Sequence, residues 1–356
     1  MKNKHIFIKG FCGAALVFLS LAVSVSGAGL MDKAISFYTS AMPNPPQIPI
    51  EVGKVVALAN TGDIIIENNR AFPQWAALIA TLVPGTRYVH AGMVVRGHVL
   101  KQINAEFGRM NGSKQGFTVY RKQRSEEIRE GKTIAVWRWT AQSQIHYGRA
   151  YVITPDVVEK EAMSRVVALD LGDYLCDPGV GYPTKHIKLI RAPIANQSAL
   201  NRLVKYLGYH LLKGTPYDMG FSITENEQAV RRTADGNIEF DLSIMPVPLY
   251  CTELLLRALK EADVTVGTTL LNRKAAAVAK AFPKLPAMVA EKLDAPFITA
   301  DCFIPRMLVL YENQPAPAIG ELMGSITHSG FRLLCQNLKD RFQAVAGFTK
   351  GAEETR

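Results

Sequence analysis

The residue of this sequence best placed for covalent chemistry is Cys251. Pro246 and Pro248 precede it, and the amphipathic pattern of a helix begins directly after it at Thr252. A thiol at the start of a helix faces unpaired backbone N–H groups and the positive end of the helix dipole, which lower its pKa and favour the thiolate. The same N–H groups can stabilise the oxyanion that forms when sulfur attacks a carbonyl group. A buried cysteine without a chemical role fits the position as well, because free cysteines are among the most buried residues.

His90 is the candidate base for this thiol. It lies in a strand-like run, 87–95, and Ala91 and Gly92 follow it. A histidine on a rigid strand with small neighbours has room to hold its imidazole against a thiolate on a neighbouring helix. The alternative interpretation is a half-buried histidine with structural hydrogen bonds only.

A third polar residue is needed to fix the tautomer of the imidazole. Asn104 lies on the next strand-like run, 99–105, and an antiparallel neighbour strand would bring its amide beside His90. Gln102 and Glu106 share its face by the two-residue period of a strand, so they compete for this role.

The elements that must position these residues follow from hydrophobic periodicity. Short β-rich runs bounded by Gly, Asn or Pro predict strands at 55–59, 62–66, 88–95, 99–105, 133–139 and 187–191. Helical periodicity is found at 30–42, 72–82, 149–175, 197–212, 252–262, 273–292 and 330–346, the last two around a β-like stretch at 297–309. The sequence therefore predicts an α+β fold with an antiparallel sheet flanked by helices.

The first residues have the pattern of a secretory signal. Lysines at positions 2, 4 and 9 precede an apolar stretch, 11–25, and the small residues Ser26–Ala28 form a cleavage site. We therefore expect a signal peptide at 1–28 and a protein exported to the periplasm or cell envelope, with a retained N-terminal anchor as the alternative. A helix and a proline-rich linker are expected to fill 29–50.

Charge and cysteine content limit the partners. The net charge is +10, but the basic residues are scattered and no nucleic-acid-binding motif accompanies them, so an anionic membrane surface is a better partner than nucleic acid. Four cysteines follow the signal segment, at 176, 251, 302 and 335, and no CxxC pair occurs. No cofactor or metal site is predicted, and Cys302 and Cys335 are expected in the core or in a disulfide.

Five short stretches, taken in order, resemble the YiiX-like branch of circularly permuted papain-fold cysteine hydrolases, within the NlpC-type superfamily. They are Gly62–Ile65, Tyr88–Gly92, Ile103–Ala105, Gly214–Asp218 and Tyr250–Leu254. In that family the histidine precedes the cysteine, the reverse of papain, because the core is permuted. The resemblance implies a permuted papain-like domain over 51–310, an insertion near 140–187 that covers the cleft, and a helical extension at 311–356.

By this resemblance Cys251 is the nucleophile, His90 the base and Asn104 the third residue, at a position where the family usually carries glutamate. The implied function is an exported thiol hydrolase that acts on a peptide, peptidoglycan or lipid-amide or ester substrate through a covalent acyl-enzyme. The alternatives are an inactive envelope binding or scaffold protein of the same fold and a lipid acyltransferase. The known acyltransferase relatives carry Asn-Cys-Glu-His at the nucleophile, whereas this chain has Tyr250-Cys251-Thr252-Glu253.

Overall fold

The strands of the chain assemble into one large, mostly antiparallel sheet. The computed structural model describes residues 49–68, 87–88, 90–110, 116–129, 132–156, 165–176, 186–218, 227–266 and 299–316. Within these ranges the strands are β1 (Asp63–Asn68), β2 (His90–Arg96), β3 (Val119–Arg129), β4 (Lys132–Gln142), β5 (Ala150–Asp156), β6 (Arg165–Asp170), β7 (His186–Arg191), β8 (Val230–Arg232), β9 (Ile238–Phe240) and β10 (Leu308–Glu312). Eight of them form the sheet in the order β10-β7-β1-β2-β5-β6-β3-β4, and β8 pairs with β9 separately. Only the β3–β6 pair of the eight-stranded sheet is parallel.

Helices cover both faces of this sheet. They are α1 (Val52–Leu58), α2 (Gly97–Met110), α3 (Leu171–Leu175), α4 (Gln197–Lys213), α5 (Cys251–Glu261) and a 3-10 helix (Ala300–Arg306). Apolar residues of α2, α4 and α5 share one buried cluster, and apolar residues of α1 and α3 share the other. The predicted α+β class, with an antiparallel sheet flanked by helices, is therefore confirmed.

Alternation along the strands explains the two clusters. In β1, Ile64 and Ile66 belong to the α2–α4–α5 side, whereas Ile65 belongs to the α1–α3 side. All six residues of β1 are buried, because the strand lies in the interior of the sheet with both faces covered. We call the two sides the α5 face and the α3 face.

The helix α4 agrees closely with its prediction at 197–212. The side chain of Asn196 accepts a hydrogen bond from the Ala199 N–H at 2.9 Å and so caps the start of the helix. Gly214 ends it with φ at 53°, in the left-handed conformation that glycine adopts without steric cost. Strands were also predicted correctly near β1, β2, β4 and β7.

Four predicted elements are wrong. The β-like stretch at 297–309 contains the 3-10 helix, and β10 begins only at its end. The runs 55–59 and 99–105 are helical, as parts of α1 and α2, and the run 149–175 contains β5 and β6 and only the short helix α3. Short apolar runs do not distinguish a buried strand from a buried helix, and interior strands lack the alternation that would identify them. Asn104 is consequently on a helix and not on a strand.

The segment 140–187 was expected to cover the cleft as an insertion. Its strands β5 and β6 instead lie inside the sheet, between β2 and β3, so they form part of the scaffold and not a lid. The described residues all belong to one compact unit, Pro46–Ala316. The predicted signal peptide (1–28), most of the predicted segment 29–50, and the helices predicted at 72–82, 273–292 and 330–346 lie outside the described residues. Among the helices of the described part, none is long and apolar enough to cross a membrane.

Candidate active site

Cys251 is the first residue of α5, as the sequence predicted. Tyr250 precedes the helix in an extended conformation, with φ −89° and ψ 166°. Leu254, Leu255 and Leu259 of the helix are fully buried on the α5 face of the sheet. Cys251 carries a free thiol that is only 2% exposed. The nucleophile candidate is therefore held rigidly and is shielded from water.

The backbone N–H groups of Ala91, Thr252 and Cys251 itself act on the Cys251 thiol. The hydroxyl of Thr252 lies 3.8 Å from it. These donors lower the pKa of the thiol, but burial has the larger effect and raises it to about 11. The predicted lowering of the Cys251 pKa is therefore wrong for this structure. The helix start supplies the expected donors, but their stabilisation of the thiolate is smaller than the free-energy cost of removing the thiolate from water.

The contact with Ala91 connects the cysteine to His90. Ala91 directly follows His90 on β2, so the peptide unit that joins them donates its N–H to Cys251. Helix α5 packs directly against β2. The start of α5 thus lies against the backbone of His90 and Ala91, although the two candidates are far apart along the chain. By the alternation of β2, the His90 side chain projects on the α3 face with Glu67, whereas α5 packs on the α5 face.

The position of the His90 ring is fixed by Thr154 on β5. The Thr154 hydroxyl oxygen lies 3.1 Å from His90 Nε2 and 2.9 Å from the Ala91 carbonyl oxygen. A carbonyl oxygen only accepts, so the one hydroxyl proton goes to Ala91, and Thr154 must accept from an N–H at Nε2. This assigns the tautomer with the proton on Nε2 and leaves the lone pair on Nδ1. Nδ1 is therefore the basic nitrogen of His90.

A carboxylate lies opposite His90 in the sheet. Glu67 on β1 is the register partner of His90, and directly opposed residues of antiparallel strands project from the same face. Glu67 is 1% exposed, as is His90. The pKa of Tyr174 on α3 is raised well above its ordinary value, first by burial and then by the charge of Glu67. An acidic residue is therefore available to stabilise a positive charge on the imidazole.

Further polar groups surround the sulfur. Besides Tyr174, Tyr217 has a pKa raised well above its ordinary value by burial first and then by the charge of a Cys251 thiolate. Asp156, at the end of β5, raises the pKa of both tyrosines. Both phenol groups are thus protonated, and the Tyr174 hydroxyl bonds to the Glu67 carboxylate.

Gly92 permits this close arrangement of strands. A Cβ atom built at Gly92 would lie 2.3 Å from Cγ1 of Val152 and 3.3 Å from Cβ of Thr154. The sequence suggested that the small residues after His90 leave space for the thiolate. The structure shows that the space at Gly92 is instead filled by side chains of β5, including the residue that holds His90.

Asn104 has a different environment from the one predicted. Its Oδ1 accepts a hydrogen bond from the Phe117 N–H at 2.5 Å, and its side chain packs against Gly116. Of its two competitors, Gln102 is exposed and Glu106 pairs with Lys205 at 2.6 Å. The contacts of Asn104 are those of a residue that fixes the loop after α2, whereas Thr154 holds the His90 ring.

Thr154 and Glu67 are the site residues that the sequence analysis missed. Thr154 was hidden by the incorrect helix prediction over 149–175. Glu67 carried a usable signal, because a single carboxylate directly follows the apolar run Ile64–Ile66 in an interior strand. Buried carboxylates are rare unless they have a partner.

A second buried polar cluster adjoins the nucleophile helix. His210 of α4 lies with Nδ1 2.8 Å from the Thr215 hydroxyl and Nε2 3.0 Å from Glu227. Tyr206 donates its hydroxyl to Glu227 at 2.6 Å. Burial lowers the pKa of His210, and the surrounding donors and charges lower that of Glu227 against the effect of burial. A neutral imidazole beside an ionised carboxylate accounts for these contacts.

This cluster reaches α5 through an arginine. Arg257 contacts Glu253 at 2.8 Å, one helical turn away, and lies 3.5 Å from Glu227. Glu253 is fully buried two residues after Cys251. The network therefore anchors the first turn of α5, and with it the position of the thiol.

The other described cysteines differ from Cys251. Cys176 and Cys302 are also free thiols, the first exposed and the second half-buried, and burial raises the pKa of Cys302. Cys302 is therefore not in a disulfide, and Cys335 lies outside the described residues. Within the described ranges, no three His, Cys, Asp or Glu side chains are grouped closely enough to hold a metal ion.

Comparison of the chain with known protein families, with characterised proteins and with solved structures finds no match.

Proposed function

We propose that this protein is a cysteine hydrolase of permuted papain type that uses Cys251 as nucleophile and His90 as base. The observation that carries the proposal is that α5 packs against β2 and that the Ala91 backbone N–H acts on the Cys251 thiol, which sets the thiol against the end of β2 that carries His90. The order of the two residues in the chain, histidine before cysteine, fits a permuted papain core.

The proposed reaction starts from a neutral pair. Because burial raises the Cys251 pKa to about 11, the resting site holds a thiol and a neutral imidazole. As sulfur attacks the substrate carbonyl carbon, Nδ1 of His90 takes the thiol proton. The oxyanion that forms is stabilised by N–H groups at the start of α5. His90 then gives the proton to the leaving group, which yields the acyl-enzyme.

Water completes the reaction. His90 takes a proton from the attacking water molecule and returns it to the Cys251 sulfur as the thioester breaks, which releases the acid. The imidazolium that forms in both halves lies opposite the Glu67 carboxylate, whose negative charge favours it. Thr154 keeps Nδ1 as the nitrogen that exchanges protons.

The substrate we propose is an amide, ester or thioester of the cell envelope, such as a peptidoglycan peptide or an acylated lipid. Export of the protein follows from the predicted signal segment. Since the thiol is 2% exposed, the carbonyl reaches it only after local opening of the structure over the sulfur. We therefore expect low turnover of generic substrates and strong dependence on the true acyl group.

A panel of substrates tests this proposal. A thioester, a p-nitrophenyl ester and a peptide amide are incubated with wild type, Cys251→Ala and Cys176→Ala, and the released acid is measured. We expect hydrolysis by wild type and Cys176→Ala and none by Cys251→Ala. Equal hydrolysis by all three proteins contradicts the proposal.

The second candidate is a binding or scaffold protein that keeps the fold without the activity. The observation that favours it is the burial of Cys251 together with its raised pKa, which is the state of an inert thiol. The burial of His90 opposite Glu67 argues against it, since burying a base and a carboxylate is costly and such pairs are typical of functional sites.

A further inference from the structure

The hairpin formed by β3 and β4 extends beyond the rest of the sheet. The two strands pair along their whole length, from Val119 opposite Gln142 to Arg129 opposite Lys132. Strand β3 pairs with β6 through only two residues, Val119 and Tyr120. Beyond Tyr120, the two strands pair only with each other among the described residues.

One face of this hairpin combines tryptophan with basic residues. Trp139 lies opposite Lys122, and Trp137 lies opposite Arg124, so the four side chains project from the same face. The Lys122 ammonium lies 5.0 Å from the centre of the Trp139 ring. We call Lys122, Arg124, Trp137 and Trp139 the aromatic–basic face; Glu126 shares this side of the hairpin and lies 3.9 Å from Arg124. It contains two of the three tryptophans of the chain.

An exposed aliphatic residue lies at the far end of the hairpin. Ile128 is 79% exposed, more than any other large hydrophobic residue in the described ranges, and it lies one pair before the turn. By the two-residue alternation of a strand, Ile128 projects on the same side as Lys122 and Arg124. Burial of this side chain in an apolar layer is therefore open to it and is favourable.

The hairpin carries an excess of positive charge. Between positions 119 and 142 the sequence has six basic and three acidic residues, spread over both faces of the hairpin; on the aromatic–basic face Lys122 and Arg124 outnumber Glu126. Tryptophan side chains favour the boundary between lipid headgroups and the apolar interior of a membrane, and lysine and arginine are drawn to anionic headgroups. An aliphatic tip enters the apolar layer, which a nucleic acid does not offer.

We propose that the β3–β4 hairpin is a docking element for an anionic lipid surface. Ile128 inserts at the tip, Trp137 lies at the headgroup level and Arg124 and Lys122 contact lipid phosphates. Trp139 packs against the buried cluster on the α3 face and holds the base of the hairpin. The proposal does not depend on the catalytic function of Cys251. It assigns to one element the membrane attraction that the net charge suggests only in general terms.

Co-sedimentation with vesicles tests this proposal on the full chain. Wild type, Ile128→Ser and the double variant K122Q/R124Q are mixed with vesicles of phosphatidylcholine, or of phosphatidylcholine with phosphatidylglycerol. The matched control is K101Q/K260Q, which removes two exposed positive charges that lie outside the hairpin, on α2 and α5. Thermal unfolding of each protein verifies that the fold is intact.

We expect wild type and the control to bind the anionic vesicles better than the neutral ones. K122Q/R124Q is expected to lose about tenfold or more of this binding, and Ile128→Ser is expected to lose several-fold at unchanged charge. Equal loss in K101Q/K260Q and K122Q/R124Q, or no effect of the hairpin variants, overturns the proposal. Preferential binding of a single-stranded oligonucleotide through the hairpin also overturns it, in favour of nucleic acid.

Discussion

Thr154 accepts a hydrogen bond from Nε2 of His90, because its own proton is donated to the Ala91 carbonyl oxygen. This places the lone pair of the imidazole on Nδ1. A residue of β5 therefore sets the chemical state of a residue of β2, and both are buried within a few ångströms of each other.

Thr154→Val removes the acceptor for Nε2 while keeping the shape of the side chain. We expect the rate of acylation of Cys251 to fall by about tenfold or more, since the wrong tautomer then becomes populated. Thr154→Ser keeps the hydroxyl and is expected to retain most of the rate. The ¹⁵N spectrum of labelled histidine gives the tautomer directly, and an unchanged His90 tautomer in Thr154→Val contradicts the assignment.

The roles of Glu67 and Asn104 are separated by a pair of substitutions. Glu67→Gln removes the negative charge opposite His90 and is expected to slow acylation, because the imidazolium loses its stabilisation. Asn104→Ala is expected to leave the rate unchanged and to lower the free energy of unfolding by about 1 kcal/mol, through loss of the bond to Phe117. Acylation rates and urea denaturation measure the two effects. Slower acylation in Asn104→Ala alone would return Asn104 to the third catalytic role.

The raised pKa of Cys251 predicts its behaviour toward iodoacetamide. In the absence of substrate, alkylation is expected to be slow at pH 7 and to rise about tenfold per pH unit toward pH 11, as the thiolate forms. Peptide mass spectrometry follows Cys251 and the exposed Cys176 in the same sample. A rate for Cys251 that is already maximal below pH 7 contradicts the neutral resting pair.

Stability is expected to fall as the pH drops below about 6.5. The ordinary pKa of histidine is 6.5, and burial lowers the pKa of His210 below this value in the folded state. Below about pH 6.5 the unfolded chain therefore takes up a proton that the folded chain does not. Glu227, with its lowered pKa, extends the loss to more acidic pH in the same direction. The expected slope is about 1 kcal/mol per pH unit. His210→Gln is expected to reduce the slope between pH 7 and 5.5 in urea denaturation, and an identical slope contradicts the assignment.

Gly92→Ala is expected to destabilise the fold by about 1–3 kcal/mol, because the added methyl group meets Val152. Val152→Ala in the same chain makes space for it and is the matched control. Thermal unfolding of the single and double variants measures the coupling between them. Additive effects of the two substitutions would contradict a direct clash.

The sequence was most informative where local signals are strong. Prolines and an amphipathic pattern marked the start of α5 at Cys251, and Gly214 marked the end of α4. The strand with His90 was visible because a short β-rich run stands between turn residues. These signals were sufficient to select the cysteine and the histidine that the structure brings to one site.

The third partner of the site was not predictable from local signals. Strand β5 is buried on both faces, so Tyr151–Thr154 shows no alternation, and α2 has apolar residues that also fit a strand. The pairing of β2 with β5 and of His90 with Glu67 depends on long-range register. The effect of burial on the Cys251 pKa likewise depends on tertiary packing and is not visible in the helix start alone.

The most direct test of the central claim is intact-mass detection of an acyl group on Cys251. Wild type, Cys251→Ala and His90→Gln are mixed with an activated acyl thioester and sampled over time. We expect one acyl group per chain, mapped to Cys251, lost in Cys251→Ala and formed about a hundredfold more slowly in His90→Gln. Acylation that ignores His90, or that appears on Cys176 and not on Cys251, would contradict this claim.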